Sequence, residues 1–206
     1  MINRRNLLTA TLAAPLVAPV FRATPTRAAE DPRMGERAIG RPNAPAVVEE
    51  YFSLTCSHCA AFHRDTMPRV KAELVDTGRL RIVFHDFPLD QVALTAAAVS
   101  RALPVDKYDP FITTLLANQN AWAFARDKDL NQLREELWRF AAAAGMARPT
   151  FDATVNDEGL KNQILAYLDQ AQKKWNLNVT PSFVARGQMR GGSMSFENFV
   201  VFAGVQ

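Results

Sequence analysis

Cysteine is scarce here: Cys56 and Cys59 are the only two in 206 residues. No second pair exists to complete a four-thiolate metal site, so any disulfide within the chain must close inside the run Cys-Ser-His-Cys itself. A bridge that short closes almost no loop and is a weak staple. Long hydrophobic runs are missing too. The most apolar stretch, residues 7–21, covers about 15 positions and contains Pro15 and Pro19, short of the roughly 20 needed to cross a bilayer. Clustered basic residues interleaved with aromatics are absent beyond the first 28 positions, which sets nucleic acid and anionic lipid aside as partners. There is no internal repeat and no low-complexity linker.

What stands at the start is a basic, weakly apolar leader. Arg4 and Arg5 precede the apolar run, and small residues at Thr26 and Ala28 mark a cut at Ala28/Ala29, as in an export signal over residues 1–28. The paired arginines followed by Asn6, Leu7 and Leu8 resemble a twin-arginine signal. The leader holds Arg4, Arg5, Arg22 and Arg27 and no acid. Without those four, the 24 basic residues of the chain fall just below its 21 acidic ones, so the basic balance belongs to the leader. Residues 29–206 are enough for one well-buried domain.

Within that domain, residues 46–52 read as a short strand with Val48, Glu50 and Phe52 on one face and Val47, Glu49 and Tyr51 on the other. A helix is expected from Ser57 to about Gly78, kinked at Pro68, and a second strand from Arg79 to Phe87. Residues 90–175 read as helical. Asp90 caps the first segment, Pro104 and Pro110 bracket a turn, Asp129 and Gln132 form a capping box, Gly145 ends that helix, and Pro149 opens another turn. A hairpin turning near Gly187 and a last helix capped by Ser195 complete the chain. The aromatics Trp122, Phe124, Trp138 and Phe140 fall at helical spacing and are assigned to the core. The order strand, helix, strand, helical block, hairpin, helix gives an α/β domain with helices inserted into it.

The two cysteines therefore lie where a strand hands over to a helix. Cys56 sits at the first helical turn, where free backbone N–H groups and the helix dipole favour a thiolate. The imidazole of His58, when charged, stabilises that anion further. Cys59, one turn inside, gains less. Cys56 is then the sulfur that attacks or is attacked through a mixed disulfide, and Cys59 resolves that intermediate. A zinc half-site completed by His58 or His63 is the bland alternative, strained by the adjacent spacing. His63 and His85 are read as packing or surface residues.

The run "EYFSLTCSHCAAFH", together with "WNLNVTPSF" far downstream, resembles the DsbA-like thiol:disulfide oxidoreductases over nearly all of the mature chain. The resemblance implies a thioredoxin fold with an inserted helical subdomain at about 90–175. It places the family's Cys-x-His-Cys on Cys56, His58 and Cys59, and its buried acid on Glu50, positioned to accept the resolving thiol's proton directly or through water. It places the family's cis-proline on Pro181, preceded by Thr180, as the segment that binds substrate peptide. Ser57 stands where the best-known members carry proline, and Thr180 where the enteric oxidase type carries valine; both are redox-tuning positions.

The activity implied is transfer of the Cys56–Cys59 disulfide to thiol-containing exported proteins in the periplasm, by a monomer recycled by a quinone-linked membrane oxidase. The disulfide carries the electrons, so no organic or metal cofactor is implied. A reductase or isomerase of the same superfamily is the alternative within the enzyme class, and a non-catalytic chaperone or metal-binding module the alternative outside it.

Overall fold

Five strands form one mixed sheet among the described residues, which are 31–124 and 128–205 of the computed structural model. They are β1 (Arg37–Ile39), β2 (Ala46–Phe52), β3 (Leu80–Asp86), β4 (Ser182–Ala185) and β5 (Gln188–Gly191), in the order β1-β3-β2-β4-β5. Strand β2 is central, parallel to β3 and antiparallel to β4, with Glu50 opposite Phe84 on one side and Phe183 on the other. Its alternation works as the sequence implies. Val48, Glu50 and Phe52 are fully buried on one face, while Val47 and Glu49 on the other are partly open.

Helix α1 (Ser57–Asp65) follows β2 directly, and α2 (Met67–Val70) continues it into one wider turn, Lys71–Val75. The expected kink falls at Thr66 rather than at Pro68. Proline within a continuous helix would leave the carbonyl of residue 64 without its donor; breaking two residues earlier puts Pro68 in the first turn, where no N–H is needed. The Thr66 hydroxyl, freed from helical geometry, donates to Met194 O at 2.8 Å.

Between β3 and β4 lie α3 (Gln91–Ala102), α4 (Val105–Ala117), α5 (Gln119–Trp122), α6 (Leu130–Ala143), α7 (Arg148–Val155) and α8 (Glu158–Trp175), the inserted helical block; α9 (Phe196–Ala203) closes the chain. Asp90, Asp129 with Gln132, and Ser195 cap α3, α6 and α9 as expected. The hairpin turns through Arg186 and Gly187, both at positive φ, which matches the twist of the flanking strands.

Two prolines depart from expectation. Pro110 does not bracket a turn but lies inside α4, and Pro149 sits in the first turn of α7 rather than in a loop. Pro110 is tolerated because it falls near the helix start, where one lost bond is offset by burial of Tyr108, Phe111, Ile112, Leu115 and Leu116. Phe124 also departs: it is 43% exposed, whereas Trp122 is fully buried and Trp138 and Phe140 pack partly against the core. Helical spacing did not apply to Phe124, which follows the end of α5.

One face of the sheet packs against α1, α2 and α9 through Val48, Phe52, Phe62, Phe84, Phe183 and Phe199. The other meets α8 through Tyr51, Val184, Leu168 and Ala171. A buried polar knot ties β3 to the helical block. Asp86 accepts from Tyr108 at 2.9 Å and from Arg101, which also donates to the carbonyls of residues 33 and 35. The leader expected at 1–28 lies outside the described residues, and no described helix is long and apolar enough to cross a membrane.

Candidate functional site

The strand-to-helix corner is built before the sulfurs are placed. Cys56 N–H donates to Ser53 O at 3.1 Å, and the Ser53 and Thr55 hydroxyls lie 3.2 Å apart. Thr55 Oγ1 donates to the Asp90 carboxylate at 2.8 Å, joining the corner to the cap of α3. Gln119 of α5 then donates to Leu54 O at 2.8 Å and Cys56 O at 3.0 Å. Sequence reasoning missed Gln119, which stands between Asn118 and Asn120 and differs from those two exposed amides only in being buried. Bonds from the α3 cap and from α5, added to the corner's own turn, thus hold the backbone on which Cys56 stands.

Cys56 is the N-cap residue of α1, with extended backbone (φ −86°, ψ 119°), and its Sγ accepts from Cys59 N–H at 3.4 Å. As a thiol it also donates to Thr180 O at 3.3 Å. Its thiol is pulled down to about 5. The hydrogen bond from the Cys59 thiol is the largest cause, burial opposes it, and the Thr180 side chain and the N–H groups of Cys59 and His58 add to it. Cys59, with no exposed surface, is pushed well above the usual thiol value, first by burial, then by its bond to Cys56 and by the charges of Cys56 and Glu50. The two shifts describe one arrangement: the proton stays on Cys59, and Cys59 S–H donates to a Cys56 thiolate.

Ser57 and His58 both face solvent, and it is the backbone N–H of His58 that acts on Cys56. The Thr180–Pro181 peptide is cis. Thr180 and Pro181 are both buried, the Thr180 carbonyl faces the sulfur, and Pro181 O accepts from Gly192 N–H at 2.7 Å, which fixes this segment to the end of β5.

Glu50 is completely buried beneath this corner, and its Oε1 lies 2.9 Å from His63 Nε2. His63, read from the sequence as a packing or surface residue, is 5% exposed and is bonded to the acid. Its spacing of seven residues after Cys56 puts it two turns along α1, a signal that becomes legible only once Glu50 is known to point the same way. His85 lies on the opposite face of the sheet, stacked between Tyr51 and Tyr167 at centroid distances of 4.5 and 5.4 Å. Among the described residues no group of three or more His, Cys, Asp or Glu side chains is clustered to hold a metal ion.

Comparisons with known proteins agree with this geometry. The family model described as Thioredoxin matches residues 33–202. A Rickettsia typhi protein carrying the provisional name protein-disulfide oxidoreductase is 26% identical over 74% of this chain and 55% of its own length, so the chain spans about half the length of the curated relatives it matches. Among solved structures, alpha-DsbA1 of Wolbachia pipientis superposes with a TM-score of 0.74 at 27% identity, covering 83% of this chain and 90% of that one. A protein-disulfide isomerase of Novosphingobium aromaticivorans gives 0.71 at 24% identity, covering 79% and 92%; at that identity the likeness speaks for the fold. With a central β2 leading into a cysteine-capped α1, a cis-proline before β4 and a helical block between β3 and β4, the chain belongs to the thioredoxin family, in its DsbA-like branch.

Proposed function

We propose that this chain is a thiol:disulfide oxidoreductase that passes a Cys56–Cys59 disulfide to cysteine-containing proteins through a mixed disulfide. The observation that carries the reading is the asymmetry of the two sulfurs: one at a helix start with its thiol pulled down to about 5, the other fully buried with its thiol pushed well up. A substrate thiolate attacks Cys56 Sγ, the Cys56–Cys59 bond breaks, and Cys59 leaves with the electron pair and takes a proton. A second substrate thiolate then attacks the substrate sulfur and releases Cys56, a good leaving group because its thiolate is stabilised. The Thr180–Pro181 segment, adjacent to Sγ, is the docking place for the substrate backbone. Stabilising the reduced form in this way makes the disulfide oxidising, which favours an oxidase over a reductase or isomerase.

An oxidase suits an exported setting, so periplasmic location after removal of residues 1–28, monomeric action, and recycling by a quinone-linked membrane oxidase belong to the same proposal. No cofactor enters it. The test is transfer of the disulfide into a reduced two-cysteine peptide, with the potential measured against glutathione. Rapid transfer at a potential well above that of thioredoxin, about −270 mV, supports the oxidase; a potential near that value assigns the reductase alternative. No transfer sinks the proposal.

A further inference from the structure

The Cys56–Cys59 chemistry leaves the partner of Glu50 without a role. Glu50 from β2 and His63 from α1 meet at 2.9 Å, both almost without exposed surface. Each spends one atom on the other, while Glu50 Oε2 and His63 Nδ1, both buried, have no hydrogen-bond partner among the described residues. The pair therefore has an open proton-accepting position at each end. It can hold one proton at zero net charge in two ways, as carboxylate with imidazolium or as carboxylic acid with neutral imidazole.

The surroundings point that proton at Cys59. The rings of Phe52, Phe62 and Phe84 lie about His63 at centroid distances of 5.9, 6.0 and 6.3 Å. From β2 the charged group facing it is Glu50, and from its own helix the titrating group is Cys59, one turn earlier. Beyond Phe84, on β3 and the helices behind it, Asp86, Arg101 and Tyr108 bond among themselves, with Arg37 over the Tyr108 ring. Cys59, fully buried, must gain or lose a proton in every turnover, and the charge of Glu50 is one of the causes acting on it.

Glu50 is the buried acid that the resemblance already couples to the Cys59 proton; we propose that His63 is its positioning partner, which fixes the carboxylate and shares the proton that Cys59 takes or gives. The inference rests on the exchange reading above. In the oxidising direction a substrate thiolate attacks Cys56 Sγ, the Cys56–Cys59 bond breaks, and the departing Cys59 thiolate takes a proton from the pair. In the reverse direction Cys59 S–H gives its proton to the pair, its thiolate attacks Cys56 Sγ, and the partner leaves as a thiolate with the electron pair.

The experiment is rapid mixing of the reduced protein with a small aromatic disulfide whose released thiolate is coloured. The first equivalent of colour reports attack by Cys56, the second resolution by Cys59. His63→Gln keeps a donor to Glu50 but cannot hold the proton. It is expected to slow the second phase on the order of tenfold or more and to flatten its pH dependence, leaving the first within about twofold; Glu50→Gln should act on the same phase. A second phase unchanged in rate and pH profile, or both phases slowed alike, overturns the proposal. Absence of a first phase in the wild type would contradict the exchange reading itself, a failure visible in a different signal. The wild type supplies a further check that needs no variant: the NMR shifts of the His63 ring nitrogens, at one pH, should differ between the dithiol and disulfide states. Identical shifts in both states contradict the pairing.

Discussion

Glu49 and Glu50 are neighbours on β2, and each meets a histidine, but on opposite faces of the sheet. Glu49 accepts from Tyr51 Oη at 2.7 Å and lies 3.2 Å from His85 Nε2, with a third of its side chain in solvent. His85, chiefly, and the Tyr51 hydroxyl hold its carboxyl below the usual range, against burial. Glu50 has no solvent and one partner, and it lies among the groups that act on Cys59. The same two residue types thus make a partly solvated pair, remote from the cysteines, on one face and a sealed pair beside a redox sulfur on the other. The strand's period of two separates them; burial and nearness to Cys59 decide which can do chemistry.

That contrast can be broken in steps. The largest effect is expected from Cys59→Ala, which removes the first-ranked donor to Cys56. The Cys56 titration should move up from about 5, and mixed disulfides should persist for want of a resolving thiol, both measurable by alkylation at graded pH and by mass. Next comes the pH dependence of the wild-type potential. Below about 5 both sulfurs carry protons and the slope should be about 59 mV per pH unit; above it one proton remains and the slope should fall to about 30. The same shift has a stability consequence. Because the folded value is depressed, the thiolate contribution to the reduced protein is complete above the unfolded thiol value of 9.0 and is lost as pH falls through about 5. Denaturant titrations of reduced wild type against Cys56→Ser should therefore diverge as pH rises across that window.

A smaller effect is expected from Thr180→Val, which deletes a hydroxyl that helps lower Cys56 and leaves the carbonyl in place. The titration should rise by less than in Cys59→Ala. His58→Ala isolates the imidazole, since its backbone N–H survives the substitution. The smallest effect belongs to the far face. Glu49→Gln should leave exchange rates within about twofold and change stability by no more than about 1 kcal/mol, as for a partly exposed pair. A redox effect there as large as at Glu50 would erase the distinction between the faces.

Much of this arrangement is readable without coordinates. The strand 46–52 comes out with its observed bounds, and the caps at Asp90, Asp129 and Ser195 fall where their side chains place them, because period and capping chemistry are local. So does the position of Cys56 at a helix start. What was not legible depends on contacts distant in sequence. Pro110 is held in a helix by tertiary burial, and Gln119 reaches back more than sixty residues to brace the corner. His63 becomes significant only when Glu50 is seen under the same helix. The donor that matters most to Cys56 also differs in kind from the one the motif suggests, being the neighbouring thiol rather than the imidazole between the two cysteines.

The most direct measurement is a titration of the reduced protein by the ultraviolet absorbance of its thiolate, with Cys59→Ala alongside. The account expects a single sulfur ionising near pH 5 in the wild type and higher in the variant. Ionisation of the wild type only in the ordinary thiol range, at about 8.5, would contradict it.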